Sequence, residues 1–294
     1  MNCRSAVMFG AGLGLWSALL AGAADAPPQP PTPTVASETG DPGQQASALL
    51  TRLLPTPLLL VGEQHDAPEH QALQRELVQQ LAARRQLSAL VLEMSEAGTH
   101  TTGLPSQASE AQVREALRWS GDQAGWPWST YAPVVMAAVR AGVPVLGGNL
   151  PRADMRAAMG NEALDRLLPT EALERQRVAI REGHCDLLPA PQIAPMTRIQ
   201  IARDQAMAGT AAAAIRSGQT VLLVAGNGHV QRDLGVPLHL PPDLAHRVVV
   251  ALARPAVDAQ EAAGQTLPTA DVVWRSPPRA PRDYCAEMKR SMGR

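Results

Sequence analysis

Leu58-Leu59-Leu60-Val61-Gly62-Glu63-Gln64-His65-Asp66 is the stretch that decides how this chain folds. Its first half is continuously apolar, and its second half turns abruptly to glycine, carboxylate and imidazole. A short unbroken apolar run bounded by turn residues suits a strand buried on both faces, the pattern of parallel sheets. Three further segments repeat it. Leu87 to Leu92 runs into Glu93-Met94-Ser95, Val143 to Leu146 into Gly147-Gly148-Asn149, and Val221 to Ala225 into Gly226-Asn227-Gly228-His229. Val248 to Leu252 and Asp271 to Trp274 read as weaker strands.

Helical patterns separate the runs. Asp66 is placed to cap the first, with Pro68 in the first turn and Glu69 completing a capping box, and Leu73, Leu77 and Leu81 follow on one face. Ser109 with Gln112 opens a second helix, Pro133 to Arg140 forms a third that Gly142 ends, and Thr170 opens a fourth. Gln192 to Arg216 is helical, with a break or kink expected at Gly209. This alternation predicts an α/β fold with a doubly wound, mostly parallel sheet flanked by helices. The segment from Thr99 to Trp128, rich in Gly, Pro and Trp, reads as a helical or loop insertion forming a lid.

At the N-terminus, Arg4 precedes an apolar run from Ala6 to Leu20 and then Ala21-Gly22-Ala23-Ala24, which reads as a signal peptide over residues 1–23. The run falls short of the ~20 strongly apolar residues that span a bilayer, and Ala23 stands where a lipoprotein would carry its acylated cysteine. The expectation is a periplasmic or secreted protein with no stable membrane anchor. Residues 24–45 are dominated by Pro, Thr, Gln and Gly and read as a disordered leader, leaving 46–294 as one domain. Lys and Arg number 26 against 27 Asp and Glu, with no basic cluster, so a nucleic-acid partner is not expected. Cys185 and Cys285 are either a disulfide closing a long loop or two free thiols.

Ligands of open α/β sheets bind beyond the carboxyl ends of the strands. There the four main runs deliver Glu63, His65, Glu93, Asn149, Asn227 and His229 to one edge. The two asparagines are either turn formers or ligand contacts. Carboxylates and imidazoles at buried strand ends need partners, and each other, a metal or a ligand would serve. Glu63, His65, Glu93 and His229 are thus candidates to hold a divalent metal ion whose bound water would be the nucleophile of a catalytic site. His70, His100, His239 and His246 read as ordinary surface residues, while His184, beside Cys185, is either a ligand or part of an ordered loop. Aromatic residues make up only 3% of the chain, yet Trp119, Trp126, Trp128 and Tyr131 fall close together. They either stack on a flat apolar ligand or fill a corner of the core.

The two Gly-x-x-His motifs, Gly62 to His65 and Gly226 to His229, with Glu63 inside the first and Glu93 between them, resemble the TraB/Tiki and erythromycin-esterase-like superfamily. Within it the chain is similar to the ChaN family of haem-binding, iron-regulated bacterial proteins. Further matches are Tyr131-Ala132-Pro133, Asn149 with Pro151-Arg152, His184-Cys185, and Gln200 with Arg203-Asp204 and Met207-Ala208, spread over residues 46 to 290. The resemblance implies an exported haem-binding protein engaged in haem or iron uptake at the bacterial envelope. Tyr131 or His184 would be the axial ligand, with Trp126, Trp128, Asn149 and Asn227 around the cofactor. Tyr284 with Arg279 and Arg282, the latter two able to pair with haem propionates, would make an alternative, surface-exposed site. The Tiki branch implies a metal-dependent peptidase or esterase built on Glu63, His65, Glu93 and His229. Haem or another small molecule is the expected partner, and a homodimer the assembly to look for.

Overall fold

A computed structural model describes residues 34–36, 41–119, 122, 125–254, 268–279 and 282–292. The signal peptide expected over 1–23, and most of the leader, lie outside these residues.

The six apolar runs read as strands become β2 (Leu58–Glu63), β3 (Leu87–Glu96), β4 (Val145–Asn149), β5 (Thr220–Gly226), β6 (His246–Ala253) and β7 (Val272–Ser276), and Thr34–Ala36 adds β1. They form one sheet in the order β1-β7-β6-β2-β5-β3-β4, and every pairing is parallel. The continuous apolar pattern follows from coverage on both faces. Leu59 and Val61 pack into one core with Leu50, Leu73, Leu77 and Val135. Leu58 and Leu60 pack into a second with Met207, Ala208 and Ala211. Each such leucine, removed fully from water, contributes about 1.5–3 kcal/mol. The first core is roofed by α1 (Pro42–Leu53), α2 (Pro68–Ala83), α3 (Glu110–Ala116) and α4 (Trp128–Arg140). The second lies under α7 (Ala190–Ala213), against which α5 (Met155–Gly160) and α6 (Thr170–Gly183) pack through Ala158, Ala172, Ile201 and Ala202.

After β2 the chain crosses to β3, and only later returns to insert β5 between them before moving to β6 on the far side of β2. The connection direction therefore reverses around β2 and β5, which opens a crevice at their carboxyl ends. Register aligns Glu63 with Gly226 and Glu96 with Asn149, so the polar strand ends arrive at one level.

Several local expectations differ. Thr34–Ala36 pairs with β7, and Asp41 caps α1 by accepting from the N–H groups of Gly43 and Gln44, so part of the leader expected to be disordered is built into the fold. Asp66 does not cap α2. The N-cap is Ala67, without a side-chain bond, because the Asp66 carboxylate is taken by the C-terminal segment. Helix α4 begins at Trp128, ahead of Pro133, since one lost backbone bond weighs less than the burial of Trp128 and Tyr131. Helix α7 runs through Gly209, where buried Ala208 and Ala211 hold it against the sheet. The Thr99 to Trp128 segment sends Ala108, Val113, Leu117 and Trp119 into the first core and is part of the body along those residues.

Cys185 and Cys285 form a disulfide with their Cα atoms 5.5 Å apart. It ties α9 (Tyr284–Met292) to the turn after α6. Among the described residues, no helix is long and apolar enough to cross a membrane.

Candidate functional site

The two Gly-x-x-His motifs interlock. A Cβ on Gly62 would lie 2.4 Å from Asn227 Oδ1 and 2.6 Å from a Val230 methyl, both on the one-turn helix α8 (Asn227–Val230). A Cβ on Gly226 would meet His65 Nε2 at 3.1 Å. Gly62 is therefore required by the second motif's helix, Gly226 leaves His65 close room, and the Gly226 N–H donates to Glu93 Oε2 at 2.7 Å.

Glu63 is buried at the end of β2, and four donors reach its carboxylate. Tyr131 Oη donates to Oε1 at 2.5 Å and His65 Nδ1 donates to the same oxygen at 2.7 Å. Gln71 and Gln74 donate to Oε2 at 2.8 and 2.5 Å. His65 is thereby fixed by one ring nitrogen, while its side chain stays 35% exposed with Nε2 at 3.8 Å from Glu93 Oε2. Trp126, half-buried, meets the His65 ring edge-on at 5.6 Å. Burial lowers the His65 pKa, but the Glu63 hydrogen bond and the nearby Glu93 charge outweigh it and leave the imidazole more basic than usual.

His229 has the opposite setting. It is 5% exposed, with Nδ1 at 2.5 Å from Asp204 Oδ1 and Nε2 at 3.2 Å from Glu93 Oε1. Burial opposes its charge, but the two flanking carboxylates win and push it up to about 10, so it is a cation at neutral pH. Glu93 shows the reciprocal effect: burial disfavours its charge, and His229, His65 and the Gly226 N–H together hold it far below the ordinary carboxylate range. The Gln200 amide lies 2.9 Å from His229 Nε2 and closes the cluster on the α7 side.

The four residues expected to hold a divalent metal do not form a donor set. The fold itself engages these groups: Glu63 accepts from four donors, Glu93 Oε2 accepts from the Gly226 N–H, and His229 lies between Glu93 and Asp204. Among the described residues, no group of three or more His, Cys, Asp or Glu is arranged to hold a metal ion.

The other candidates are placed as follows. Tyr131 is 1% exposed, with its hydroxyl spent on Glu63, and burial next to that carboxylate pushes the phenol far above its ordinary range. Trp119 and Trp128 stack edge to face at 5.1 Å inside the core, and Trp128 Nε1 donates to Glu110, so these rings fill a core corner while Trp126 alone reaches the strand ends. Asn149 donates to the Glu93 carbonyl at 2.8 Å and Asn227 to the Ala251 carbonyl at 2.6 Å, and both brace strand ends. His184 ends α6, with Nδ1 at 2.7 Å from the Ile180 carbonyl. His70 is not a surface residue. It is 1% exposed, accepts from the Gln64 N–H at 3.0 Å and approaches Ser276 Oγ at 3.2 Å, and burial lowers it to about 4. His246 begins β6 and His239 ends a short 3-10 turn, whereas His100 is exposed.

Asp204, Gln71 and Gln74 were not expected at the site. Gln71 and Gln74 left a signal, because they interrupt the apolar stripe of α2 on its buried face. Asp204 left one as well, at four-residue spacing from Gln200 on a helix otherwise buried by Ile201, Met207 and Ala208.

Tyr284 is 50% exposed and donates to Asp66, which also pairs with Arg279 at 3.1 Å and Arg282 at 3.7 Å. The C-terminal segment is thus anchored to the residue that follows His65. Beyond β3 and β4 lies a cavity of about 280 Å³ bordered by Glu93, Met94, Trp126, Asn149, Arg152 and Arg203. A larger groove of about 780 Å³ runs between α2 and α4, but no strand-end residue lines it, so size does not mark the site.

The arrangement defines a class: a doubly wound parallel α/β protein with a Glu/His crevice, one histidine locked inside and one open at the rim. The family model for haem-binding uptake proteins of the Tiki superfamily, ChaN, matches residues 49–240. The chain belongs to the ChaN family. Among solved structures it is similar to ChaN of Campylobacter jejuni, described by its cofacial haem binding, at 22% identity over 70% of this chain and 85% of that one, with a TM-score of 0.58. The type III effector HopBA1 matches at 14% identity over 83% and 98% of the two chains, with a TM-score of 0.43. A succinoglycan biosynthesis protein matches at 12% identity over 75% and 72%, with a TM-score of 0.41. No curated protein matches the chain.

Proposed function

We propose that this protein takes haem at the open rim of the crevice, with His65 as the axial donor and Trp126 beside the porphyrin, and that it serves haem or iron handling at a bacterial envelope after export. Haem binding is the property of its family. The observation that carries the assignment to His65 is its half-open imidazole, fixed through Nδ1 by a buried carboxylate and edge-on to a half-buried indole. A carboxylate on the far nitrogen orients a ligating histidine and makes it a stronger donor. Bound haem would supply a redox-active iron, and the chain's own part is to hold it by one imidazole. Tyr131, enclosed and hydrogen-bonded to Glu63, positions His65 indirectly by holding their shared partner.

The 280 Å³ cavity lined by Glu93 and Trp126, the two neighbours of His65, falls below the ~300–1,000 Å³ of pockets that enclose drug-sized ligands. A porphyrin would therefore lie across the rim, which suits the cofacial binding that names the Campylobacter protein. Two copies of this chain meeting through such haems would form a homodimer.

Haem titration followed by visible absorbance tests the reading. His65→Ala is expected to shift the bands and weaken binding at least tenfold, whereas Tyr131→Phe and His184→Ala leave the bands in place. Bands that move with Tyr284→Phe and not with His65→Ala would transfer the site to the Asp66-anchored tail. Absence of any haem-dependent absorbance would end the proposal.

A further inference from the structure

We propose that the cavity beyond β3 and β4 is a carboxylate-binding site in which Arg152 and Arg203 receive the anion. Glu93, Trp126, Asn149 and the two arginines all line this cavity. Among the described residues neither guanidinium has an ion pair, although the chain pairs arginines freely elsewhere, as Arg198 with Asp165 and Arg232 with Asp271. Arg203 Nε is buried without a hydrogen-bond partner. A buried donor left unpaired costs about 1–3 kcal/mol, a cost that a ligand oxygen would remove. The planar guanidinium matches a carboxylate geometrically.

The acidic residues nearby do not already fill this role. Glu93 Oε2 accepts from Gly226 N–H, and its Oε1 faces His229. Glu96, also on the cavity wall, accepts from the Arg152 backbone N–H at 3.1 Å and leaves the Arg152 side chain free. Arg152 follows β4, and Arg203 precedes Asp204 on α7, so the same strand-end and helix segments that hold the His229 cluster also present these two cations. The volume of about 280 Å³ admits a small carboxylate or one arm of a larger molecule. Two sources share this chemistry: a propionate of haem seated at His65 and Trp126, or a free small carboxylate. The first rests on the haem proposal and the second does not.

Haem and haem dimethyl ester, whose propionates carry no charge, are titrated into wild type and the Arg152→Met/Arg203→Met variant. Melting temperature is followed in sodium malonate against sodium chloride of equal ionic strength. A propionate site predicts that haem binds the double variant at least tenfold more weakly, while the ester binds both proteins alike and weakly. A free-carboxylate site predicts that malonate raises the melting temperature of wild type and not of the variant, with haem affinity unchanged. Should Arg203→Met fail to fold, Arg152→Met, at an exposed position, must move the same readout at least threefold. If wild type takes up no haem but responds to malonate, the haem reading falls and the cavity assignment stands. Wild type and variant responding identically to all three probes overturns it.

Discussion

The two Gly-x-x-His motifs are alike in sequence and opposite in outcome. Gly62 to His65 ends in an imidazole that is fixed on one side and open on the other, whereas Gly226 to His229 ends in an imidazolium sealed between Asp204 and Glu93. The difference comes from what packs over each. Helix α7 lies over His229 and supplies Asp204 and Gln200, while His65, bonded to Glu63 and 3.8 Å from Glu93, has Trp126 edge-on and keeps a side chain 35% exposed. One motif became part of the scaffold, and its twin stayed available to a ligand.

The largest expected effect separates the two. His229→Ala leaves Glu93 and Asp204 buried without their cation and should cost about 3–5 kcal/mol in urea unfolding, enough to prevent folding in a marginal background. His65→Ala, which removes one of several donors to Glu63, should cost about 1–2 kcal/mol. Equal losses would erase the distinction between scaffold and ligand seat.

Next in size is pH dependence, which should show both signs in one curve. The folded His229 pKa of about 10 lies above its unfolded value of roughly 6.5, so its contribution is complete below that value and fades as pH rises toward 10. His70 is lowered to about 4, so stability falls as pH drops from roughly 6.5 toward 4, where the unfolded chain takes up a proton that the folded chain does not. Unfolding free energy should slope down on the alkaline side by up to about 1.4 kcal/mol per unit, while on the acid side the His70 slope is opposed by Asp204, which burial raises to about 6. His70→Asn, which keeps an acceptor for the Gln64 N–H, should remove the His70 slope from the acid arm alone; an unchanged acid arm would assign that slope elsewhere.

Asp204→Asn keeps the shape of the cluster but removes one of the two charges that hold His229 protonated. It should cost about 1–3 kcal/mol and bring the alkaline decline to lower pH. Smallest is Tyr284→Phe, which deletes an exposed hydroxyl that donates to Asp66 and should change stability by less than about 1 kcal/mol. A larger loss would make the tail a structural part of the crevice.

The sheet was legible because burial on both faces leaves an unbroken apolar run, a pattern that needs no partner to be recognised. The site edge was legible for the same reason, since the polar residues that terminate such runs must emerge together in a parallel sheet. What was hidden depends on contacts distant in sequence. Asp66 looked like a helix cap because its partners Arg279, Arg282 and Tyr284 lie at the other end of the chain. His70 looked exposed because Ser276 and β7 cover it from outside its own helix. Tyr131 looked like a ligand because composition reveals a cluster of rings but not which of them face inward. The metal reading came from spacing, which brings His and Glu together but does not reveal that Tyr131, Gln71, Gln74 and Asp204 engage those same groups.

Cavity rescue at His65 probes the proposed haem seat itself. The ferric haem complex of His65→Gly is recorded with and without added imidazole. Altered visible bands should return to those of wild type as imidazole occupies the vacated space beside Glu63. Wild-type bands in His65→Gly before imidazole is added would contradict that seat.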